Sequence, residues 1–439
     1  PASSRERDHL RGLPQAGGRR MMSSARKLPL GAIAILGSVA CAILIVADLP
    51  RSHAAKATST YGQIFVAGGA GIGGTLRSIE LYRPGSNNST ASPPEMNAAR
   101  QFHTAAVIAS GPNAGKVLLA GGLGDNGTLA STELYDPAAN TFAVGPDMKA
   151  ARDHHTATVI SSGPNAGKIL LAGGEDRNNG VVSLASTELY DPAANRFAVG
   201  PAMNASRYAH SATVITSGPN AGKILLAGGF NTGDGPLASS ELYDPAANKF
   251  AEGPTMNAAR FGHTATVIAS GPNRGKILLA GGFDGNDSLA STEIYDAAAN
   301  KFAVGPALNA ARRFHTATAI AAGPNAGKIL IAGGLNNNGP LASSEIYDAA
   351  SDKFAPGPNM NVARDHHTAT TIASGPNAGK VLFAGGDDVI NDTKLASTEL
   401  YDPAVNKFAV GHPMDIARAF HTAVQLPASS SAVKIATSP

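Results

Sequence analysis

Ser110-Gly-Pro-Asn-Ala-Gly-Lys-Val-Leu-Leu-Ala-Gly-Gly122 recurs five more times, almost unchanged, in this chain of 439 residues. The further copies begin at Ser162, Ser217, Ser270, Ala322 and Ser374. The Gly-Gly pair that ends the stretch also occurs at 68/69, so seven pairs follow one another at intervals of 52 to 55 residues. A period of about 50 residues is typical of solenoids and propellers. The sequence is therefore a repeat array, and the repeat unit decides the fold.

Composition favours a turn-rich all-β protein. The chain has 50 glycines, 28 prolines and only 15% charged residues, with a formal net charge of +3. Glycine and proline at this level mark frequent turns, and repeat units that bury surface only against their neighbours form one domain. The lysines and arginines recur with the repeat and form no basic cluster, which argues against a nucleic-acid partner.

The single cysteine, Cys41, precedes the repeats. The repeat region can therefore form no intrachain disulfide and no multi-cysteine metal site, so it must be held together by packing. We predict no cofactor and no metal ion.

The first 57 residues divide into two segments. Residues 1–20 are polar and arginine-rich, and they are either disordered or misassigned upstream sequence. Residues 21–57 have the pattern of an export signal: a positively charged start, an apolar run at 28–47, and a small-residue segment. We expect cleavage after Ala54 or Ala57, or retention as a membrane anchor, because such a run can cross a bilayer of about 30 Å. The repeats then lie outside the cytoplasm, as a secreted, periplasmic or cell-surface protein that touches the membrane only through this leader.

Each repeat is predicted to contain four short strands, a to d. In the third unit these are strand a at 155–160, strand b at 168–172, strand c at 184–190 and strand d at 196–199. Strand b is apolar without alternation, as expected for a strand that is covered on both faces. Four antiparallel strands in about 50 residues describe one blade of a β-propeller.

The two ends of the array complete each other. The first unit, from 61, begins with strand b, whereas the chain ends with an isolated strand a at 421–426. Pairing of this strand with the first unit closes the ring and leaves no exposed inner edge. We therefore predict a monomeric seven-bladed propeller over 58–439, in which blade 1 is assembled from 61–96 and 418–426.

The repeats resemble the Kelch repeat over residues 61–426. The shared features are the Gly-Gly pair after strand b, Glu-x-Tyr in strand c, an aromatic residue in strand d, and Met and Arg before the next unit. Within this family the repeats resemble the bacterial-type repeats found in the central domain of galactose oxidase. The resemblance implies an all-β propeller. Strand d has Phe where the family favours Trp, and Thr90 holds this position in blade 1, which should pack least well.

An Arg-x-x-His motif precedes every strand a, and it allows two interpretations. A ring of seven guanidinium groups around one channel mouth could bind an anionic ligand. Alternatively, each Arg or His holds a strand c glutamate between blades, since a role needed in every blade is more often structural. We retain the arginines as candidate binding residues: Arg100, Arg152, Arg207, Arg260, Arg312, Arg364 and Arg418. Structural roles are assigned to His103, His155, His210, His263, His315, His367 and His421, and to Glu80, Glu133, Glu188, Glu241, Glu293, Glu345 and Glu399.

Two histidine pairs follow an aspartate, at 153–155 and 365–367, and they invite a metal-site interpretation. Adjacent residues on a strand point to opposite faces of the sheet, so two neighbouring histidines do not readily hold one ion. The sequence therefore predicts no metal site at either pair.

The loops between strands b and c differ from blade to blade, whereas the rest of the repeat barely varies. These b–c loops are at 70–75, 123–128, 175–183, 230–236, 283–288, 335–340 and 387–394. Strand order places them on the same face as the Arg-x-x-His motifs, and variable loops on a rigid scaffold are the usual place for binding residues. The two longest loops contribute the candidates Glu175, Asp176, Arg177, Asp387, Asp388 and Asp392. Their composition would suit Ca²⁺, but solvated turns have the same composition.

Two functions fit this architecture. The first is a binding or scaffold propeller that engages a protein or a glycan through the b–c loop face. The alternative is a carbohydrate-active enzyme, since a sialic-acid epimerase also carries Kelch-like repeats. A copper radical oxidase is excluded, because it would need a cysteine cross-linked to tyrosine and the repeats contain no cysteine. The departures from the repeat consensus, Asp153, Tyr208, Arg313, Phe314 and Asp365, form no evident acid/base pair.

Overall fold

The computed structural model describes residues 62–83, 94–388 and 393–427. Every regular element within these ranges is a β-strand, and the main strands form seven antiparallel sheets. The innermost strand of each sheet lies beside the innermost strands of two neighbouring sheets, in a closed circle of seven. The predicted seven-bladed propeller is therefore confirmed.

Several predictions concern residues outside the described ranges. These are the tail at 1–20, the leader at 21–57, Thr90 of blade 1 and Asp392 of the blade 7 loop. Among the described residues, no helix is long and apolar enough to span a membrane.

The four strands recur at equivalent positions in every blade. Strands a are Thr422–Gln425, Thr104–Val107, Thr156–Val159, Ser211–Val214, Thr264–Val267, Thr316–Ala319 and Thr368–Thr371. Strands b are Ile64–Ala67, Val117–Ala120, Ile169–Ala172, Ile224–Ala227, Ile277–Ala280, Ile329–Ala332 and Val381–Ala384. Strands c are Ile79–Tyr82, Thr132–Asp136, Thr187–Asp191, Ser240–Asp244, Thr292–Asp296, Ser344–Asp348 and Thr398–Asp402. Strands d, described in blades 2 to 7, are Thr141–Val144, Arg196–Val199, Lys249–Glu252, Lys301–Val304, Lys353–Pro356 and Lys407–Val410.

Six of the b–c loops form short two-residue ladders. They pair Ala70–Gly71 with Gly74–Thr75, Leu123–Gly124 with Gly127–Thr128, Glu175–Asp176 with Val182–Ser183, Phe230–Asn231 with Gly235–Pro236, Leu335–Asn336 with Gly339–Pro340, and Asp387–Asp388 with Thr393–Lys394. Blade 5 has a single bridge, between Phe283 and Ser288, in place of a ladder.

The uniformly apolar strand b is buried against two neighbours at once. In blade 3, Ile169 and Leu171 pack in the cluster shared with blade 2, whereas Leu170 and Ala172 pack in the cluster shared with blade 4. All four have exposures of 1% or less. The hydrophobic core is therefore divided among the blade interfaces, which explains why strand b lacks the alternation of a sheet with one wet face.

An aromatic pair and a left-handed turn fix the outer part of blades 2 to 7. In blade 3 the rings of Tyr190 and Phe197 are 5.2 Å apart at their centroids. The Tyr190 hydroxyl donates a hydrogen bond to Oδ1 of Asn195, 2.9 Å away, and Asn195 has a φ of 48°. Asparagine tolerates this conformation, and the tyrosine then holds the c–d turn in place. Phenylalanine thus supplies the strand d ring of this pair in blades 2 to 7.

The ring closes as the sequence predicts. Thr422–Gln425, from the end of the chain, pairs with Ile64–Ala67 from its start, with Val424 opposite Phe65. Blade 1 is consequently built from both ends of the repeat region, so its sheet joins the first and last repeats by backbone hydrogen bonds.

Each linker between blades is joined to both of them through one arginine. The backbone of Arg260 accepts a hydrogen bond from Gly229 N (2.9 Å) and donates one to Leu237 O (3.1 Å), both in blade 4. Its guanidinium reaches into blade 5, where it donates to Gly281 O (2.7 Å) and to Glu293 Oε1 (3.0 Å). One residue therefore ties two blades together.

The same arginine–glutamate pair occurs at all seven interfaces. The Nη2–Oε1 distances are 2.8 to 3.2 Å, and every one of the seven arginines is fully buried. Each glutamate also accepts backbone N–H groups of the linker, as Glu293 does from Asn257 and Ala258. At the closure, Arg418 pairs with Glu80, so the last repeat is coupled to the first by the same contact.

We predict that replacing one of these arginines destabilises the whole ring. Arg260→Met leaves Glu293, which is 1% exposed, with an uncompensated buried charge. Removing one partner of a buried ion pair lowers the free energy of unfolding by about 3–5 kcal/mol. We expect a loss of this size for Arg260→Met in urea denaturation. The control is Lys276→Met, whose partner Asp296 lies 3.1 Å away at the surface and which should lose less than about 1 kcal/mol. Equal losses in the two variants would contradict the prediction.

Candidate functional site

A closed ring of backbone hydrogen bonds surrounds the axis at the b–c loop end of the channel. In each blade, the residue just before the repeated histidine donates its N–H to the carbonyl of the equivalent residue in the preceding blade, over 2.8 to 3.2 Å. All seven have φ values between 46° and 62°. The left-handed conformation costs a non-glycine residue about 1–2 kcal/mol, so the ring must be held by its surroundings. Its members are Phe102, His154, Ala209, Gly262, Phe314, His366 and Phe420.

Side chains of this ring close the channel mouth. The centroids of neighbouring rings are 4.0 Å apart for His154 and Phe102, 4.7 Å for Phe102 and Phe420, 4.4 Å for Phe420 and His366, and 4.2 Å for His366 and Phe314. All five are exposed by 8% or less. We call these five residues the axial plug.

Glycine 262 makes room for one member of the plug. A Cβ at Gly262 would lie 2.4 Å from Cε1 of Phe314. The Phe314 ring therefore lies across the position where other blades have a side chain. The plug is asymmetric as a result, because Ala209 and Gly262 contribute no ring to it.

Around the plug, each blade contributes one pair of residues joined by two backbone hydrogen bonds. One member stands two positions before the repeated histidine, and the other directly follows the Gly-Gly pair. Their identities change from blade to blade. These rim pairs are Ala419–Ala70, Gln101–Leu123, Asp153–Glu175, Tyr208–Phe230, Phe261–Phe283, Arg313–Leu335 and Asp365–Asp387. Together with the b–c loops they form what we call the mouth face.

One side of the mouth face is aromatic. Ring centroids are 5.4 Å apart for Tyr208 and Phe230, 5.3 Å for Phe230 and Phe261, and 5.5 Å for Phe261 and Phe283. The Arg313 guanidinium lies 4.2 Å from the centroid of Phe283. Phe230, Phe283 and Arg313 are half-buried, so each keeps part of its surface available to solvent.

Blade 3 carries a buried acid–base group beside the plug. His154 Nδ1 is hydrogen-bonded to Asp153 and lies 3.3 Å from Oε1 of Glu175. Burial opposes protonation of His154, but its hydrogen bonds to the two carboxylates outweigh that effect and raise its pKa. The three ligand atoms lie within 4.8 Å of one another, a spacing that a metal ion could bridge. Arg177 already compensates their charge, because it pairs with both carboxylates.

Blade 7 repeats this group with different partners. Asp365 is hydrogen-bonded to His366, and Asp387 accepts a hydrogen bond from Lys394 Nζ over 2.8 Å. Burial raises the pKa of the Asp387 carboxyl, although the lysine acts in the opposite direction. Lys394 also lies 5.6 Å from the centroid of Phe420, over the plug.

The structure separates the sequence-predicted candidates into two sets. The seven arginines of the Arg-x-x-His motifs have exposures of 0% and are enclosed in the blade interfaces, so they do not present their guanidinium groups to a ligand. Glu175, Asp176, Arg177, Asp387 and Asp388 do lie on the mouth face, with Glu175 and Asp387 buried in it.

The alternation of side chains along a strand does not predict the contact between Asp153 and His154. His154 and His155 do diverge, but His154 is a left-handed residue rather than part of a strand, so its ring returns to Asp153. The expectation of no evident acid/base pair is wrong for this reason. The signal was present in the sequence: the plug and rim positions are those that vary when the seven repeats are aligned.

The repeated histidines form a second ring, between blades. Each Nε2 is hydrogen-bonded over 2.9 to 3.1 Å to the hydroxyl that begins strand a of the preceding blade, and His103 closes the circle with Thr422. Complete burial, with a neighbouring arginine, lowers the pKa of all seven histidines, to about 3 for His263 and His421. They are therefore neutral parts of the frame.

Fold and site together define a seven-bladed β-propeller with a repeated frame and one variable face. Residues 260–309, which span blade 5 and the linker before it, match the Kelch motif family. This part of the propeller is therefore similar to a Kelch repeat.

The chain is also similar over part of its length to proteins named for Kelch repeats. The chain is 27% identical over 139 residues to Kelch repeat-containing protein kel-10 of Caenorhabditis elegans, covering 32% of this chain and 22% of that protein. It is 23% identical over 286 residues to Kelch-like protein 23 of Mus musculus, covering 64% and 46%. The chain therefore spans less than half the length of these relatives. The solved structure of YjhT has a TM-score of 0.51 at 14% identity, covering 72% of this chain and 99% of that one, and this likeness concerns the fold alone.

We predict that the ring of neutral histidines makes the propeller sensitive to acid. The pKa of each histidine is lower in the folded protein than in the unfolded chain. As pH falls from about 6.5 towards 3, the unfolded state therefore binds more protons than the folded state. The free energy of unfolding then decreases by about 1.4 kcal/mol per pH unit for each histidine. His263→Gln should reduce the pH slope of the unfolding free energy by that amount. His154→Gln is the control, because the pKa of His154 is raised rather than lowered in the folded protein. Protonated His154 therefore stabilises the fold at acid pH, and this contribution to the free energy of unfolding is lost as pH rises. An unchanged slope in His263→Gln would refute the explanation.

Proposed function

We propose that this propeller is a non-enzymatic scaffold that binds a partner protein through its mouth face. The observation that carries the proposal is the distribution of sequence variation. Buried positions of the frame repeat in every blade, whereas the rim pairs differ in all seven. A surface that varies on a constant frame is the expected arrangement for recognition.

The mouth face is supported by contacts between neighbouring loops. Asn178 of the blade 3 loop accepts a hydrogen bond from Thr128 N of blade 2 and donates one to Thr128 O, both over 3.0 Å. Thr232 of blade 4 lies 3.1 Å from the Ser183 hydroxyl of blade 3. Loops fixed in this way lose little conformational freedom when a partner binds, which favours affinity.

Exposed apolar side chains at the loop tips suit a protein partner. Ile72 is 86% exposed in blade 1, and Val181 and Val182 are 54% and 52% exposed in blade 3. With the half-buried Phe230 and Phe283 they supply apolar contact surface at several points around the plug. Protein interfaces use such groups, framed by polar residues.

The acid–base groups favour binding over catalysis. Asp153, His154 and Glu175 have exposures of 2% or less, and their functional atoms are largely engaged with one another and with Arg177. A general acid or base must reach the proton it transfers. Because Arg177 already pairs with both carboxylates, the group is better suited to holding the plug and the rim than to meeting a substrate.

We predict that changes on the mouth face abolish partner binding. Candidate ligands are identified on protein and glycan arrays and then titrated with the wild-type protein and with the double variant Phe230→Ala/Phe283→Ala. The double variant should bind at least about tenfold more weakly, because aromatic side chains often contribute most of the binding energy of an interface. The control is Lys168→Ala/Lys276→Ala on the opposite face, which should bind normally. Loss of binding only in the control would place the site elsewhere, and turnover of an array sugar would favour the enzyme alternative.

We also propose that the propeller functions outside the cytoplasm. The support is the sequence pattern of residues 21–57, with an apolar run at 28–47 after a positively charged start. Expression in a cell with an export pathway should yield propeller that added protease can reach in intact cells, and N-terminal sequencing should show whether cleavage occurs after Ala54 or Ala57. Protein that stays in the cytosol with residues 21–57 attached would rule out this proposal.

A further inference from the structure

The mouth face carries far more negative than positive charge. Over the described b–c loop residues and the rim pairs, ten carboxylates face three cations, Arg177, Arg313 and Lys394. The chain as a whole has a formal charge of +3, so acidic groups are concentrated on this face. Two rim pairs, in blades 3 and 7, consist of carboxylates alone. A partner that complements the face must bring positive charge.

Blade 3 shows which group satisfies such a pair of carboxylates. Asp153 and Glu175 have exposures of 0% and 1%. Arg177, from the loop of the same blade, places Nε 3.3 Å from Oδ2 of Asp153 and donates a hydrogen bond through Nη2 to Oε1 of Glu175. One guanidinium bridges both carboxylates, as its planar set of N–H groups allows.

Blade 7 has the corresponding pair without a guanidinium from its own loop; Arg313 of blade 6 interacts electrostatically with Asp365 but donates its Nη1 hydrogen bond to the Ser288 hydroxyl. Asp365 and Asp387 have exposures of 0% and 2%, yet Oδ2 of Asp365 and Oδ1 of Asp387 have no hydrogen-bond partner within the described residues. Where blade 3 has Arg177, two positions after the acidic rim residue, the sequence of blade 7 has Val389. Two buried carboxylate oxygens are thus left without the donor that their counterparts receive.

Lys394 supplies only part of the missing charge. Its ammonium group donates to Oδ2 of Asp387, and of the two carboxylates only Asp387 is within salt-bridge distance of it in the part of the chain that the structure describes. The Lys394 side chain is 16% exposed, against 3% for Asp387.

We infer that the mouth face docks a polypeptide that presents an arginine, and that its guanidinium enters blade 7 between Asp365 and Asp387, as Arg177 does within blade 3. The inference rests on the proposed function and names the chemistry of the partner. Lys394 moves towards solvent as the guanidinium donates to both free oxygens. Leaving buried acceptors unsatisfied is costly, so binding gains by pairing them.

The test uses a labelled peptide that holds one arginine in a glycine–serine background, with citrulline in the matched peptide. At low ionic strength the full chain should bind the arginine peptide and not the citrulline one, because only the former is charged. Asp365→Asn/Asp387→Asn should weaken binding at least about tenfold. The control Asp125→Asn/Asp234→Asn removes two exposed charges from the same face and should weaken it less than about threefold. Equal losses, or equal affinity for citrulline, would overturn the inference.

A second variant tests the comparison between blades. Arg177→Ala empties the blade 3 position, so the number of arginine peptides bound per chain should rise from one to two, while thermal unfolding reports whether the variant is folded. A folded variant that still binds a single peptide would contradict the assignment.

Failure of the inference can be separated from failure of the proposed function. If array partners are lost in Phe230→Ala/Phe283→Ala but retained in Asp365→Asn/Asp387→Asn, the face binds proteins by other contacts and the arginine site is wrong. If neither pair of substitutions affects any partner, the proposed function is wrong as well.

Discussion

The buried arginine–glutamate pair between successive blades is the contact on which the rest of the structure depends. Such a pair is expensive to desolvate, and it stabilises only when every lone pair and N–H group around it is used. Here the guanidinium also donates to two carbonyls, and the carboxylate also accepts from the linker, as Arg260 and Glu293 show. The pair therefore fixes how each linker meets the next blade, and its repetition at all seven interfaces joins the blades in a closed ring.

Much of the frame could be predicted from the sequence, because seven copies present the same pattern. The number of blades is predicted by the Gly-Gly pairs and by the uninterrupted apolar strand b. The closure by residues 421–426 is predicted by the split first blade. The recurrence of arginine and glutamate also suggested a structural pairing, and the complete burial of Arg100 and its equivalents shows that the frame uses them.

The mouth could not be predicted in the same way, because its geometry depends on exceptions. Strand alternation says that His154 and Asp153 diverge, yet a φ of 51° turns the imidazole back to the carboxylate. Lysines and arginines recur evenly along the sequence, whereas the fold gathers acidic residues from distant loops onto one face. Which carboxylates meet, and whether a guanidinium such as Arg177 lies between them, follows only from three-dimensional placement.

The closed backbone ring around the axis makes the seven blades equivalent as donors and acceptors. Each blade receives one hydrogen bond at the axis and gives one, whatever side chain it carries there, from Gly262 to Phe420. A unit moved to another place in the ring therefore meets the same hydrogen-bond donor and acceptor on both sides. Such a molecule can evolve a new recognition surface by reordering existing blades, without having to evolve a new fold.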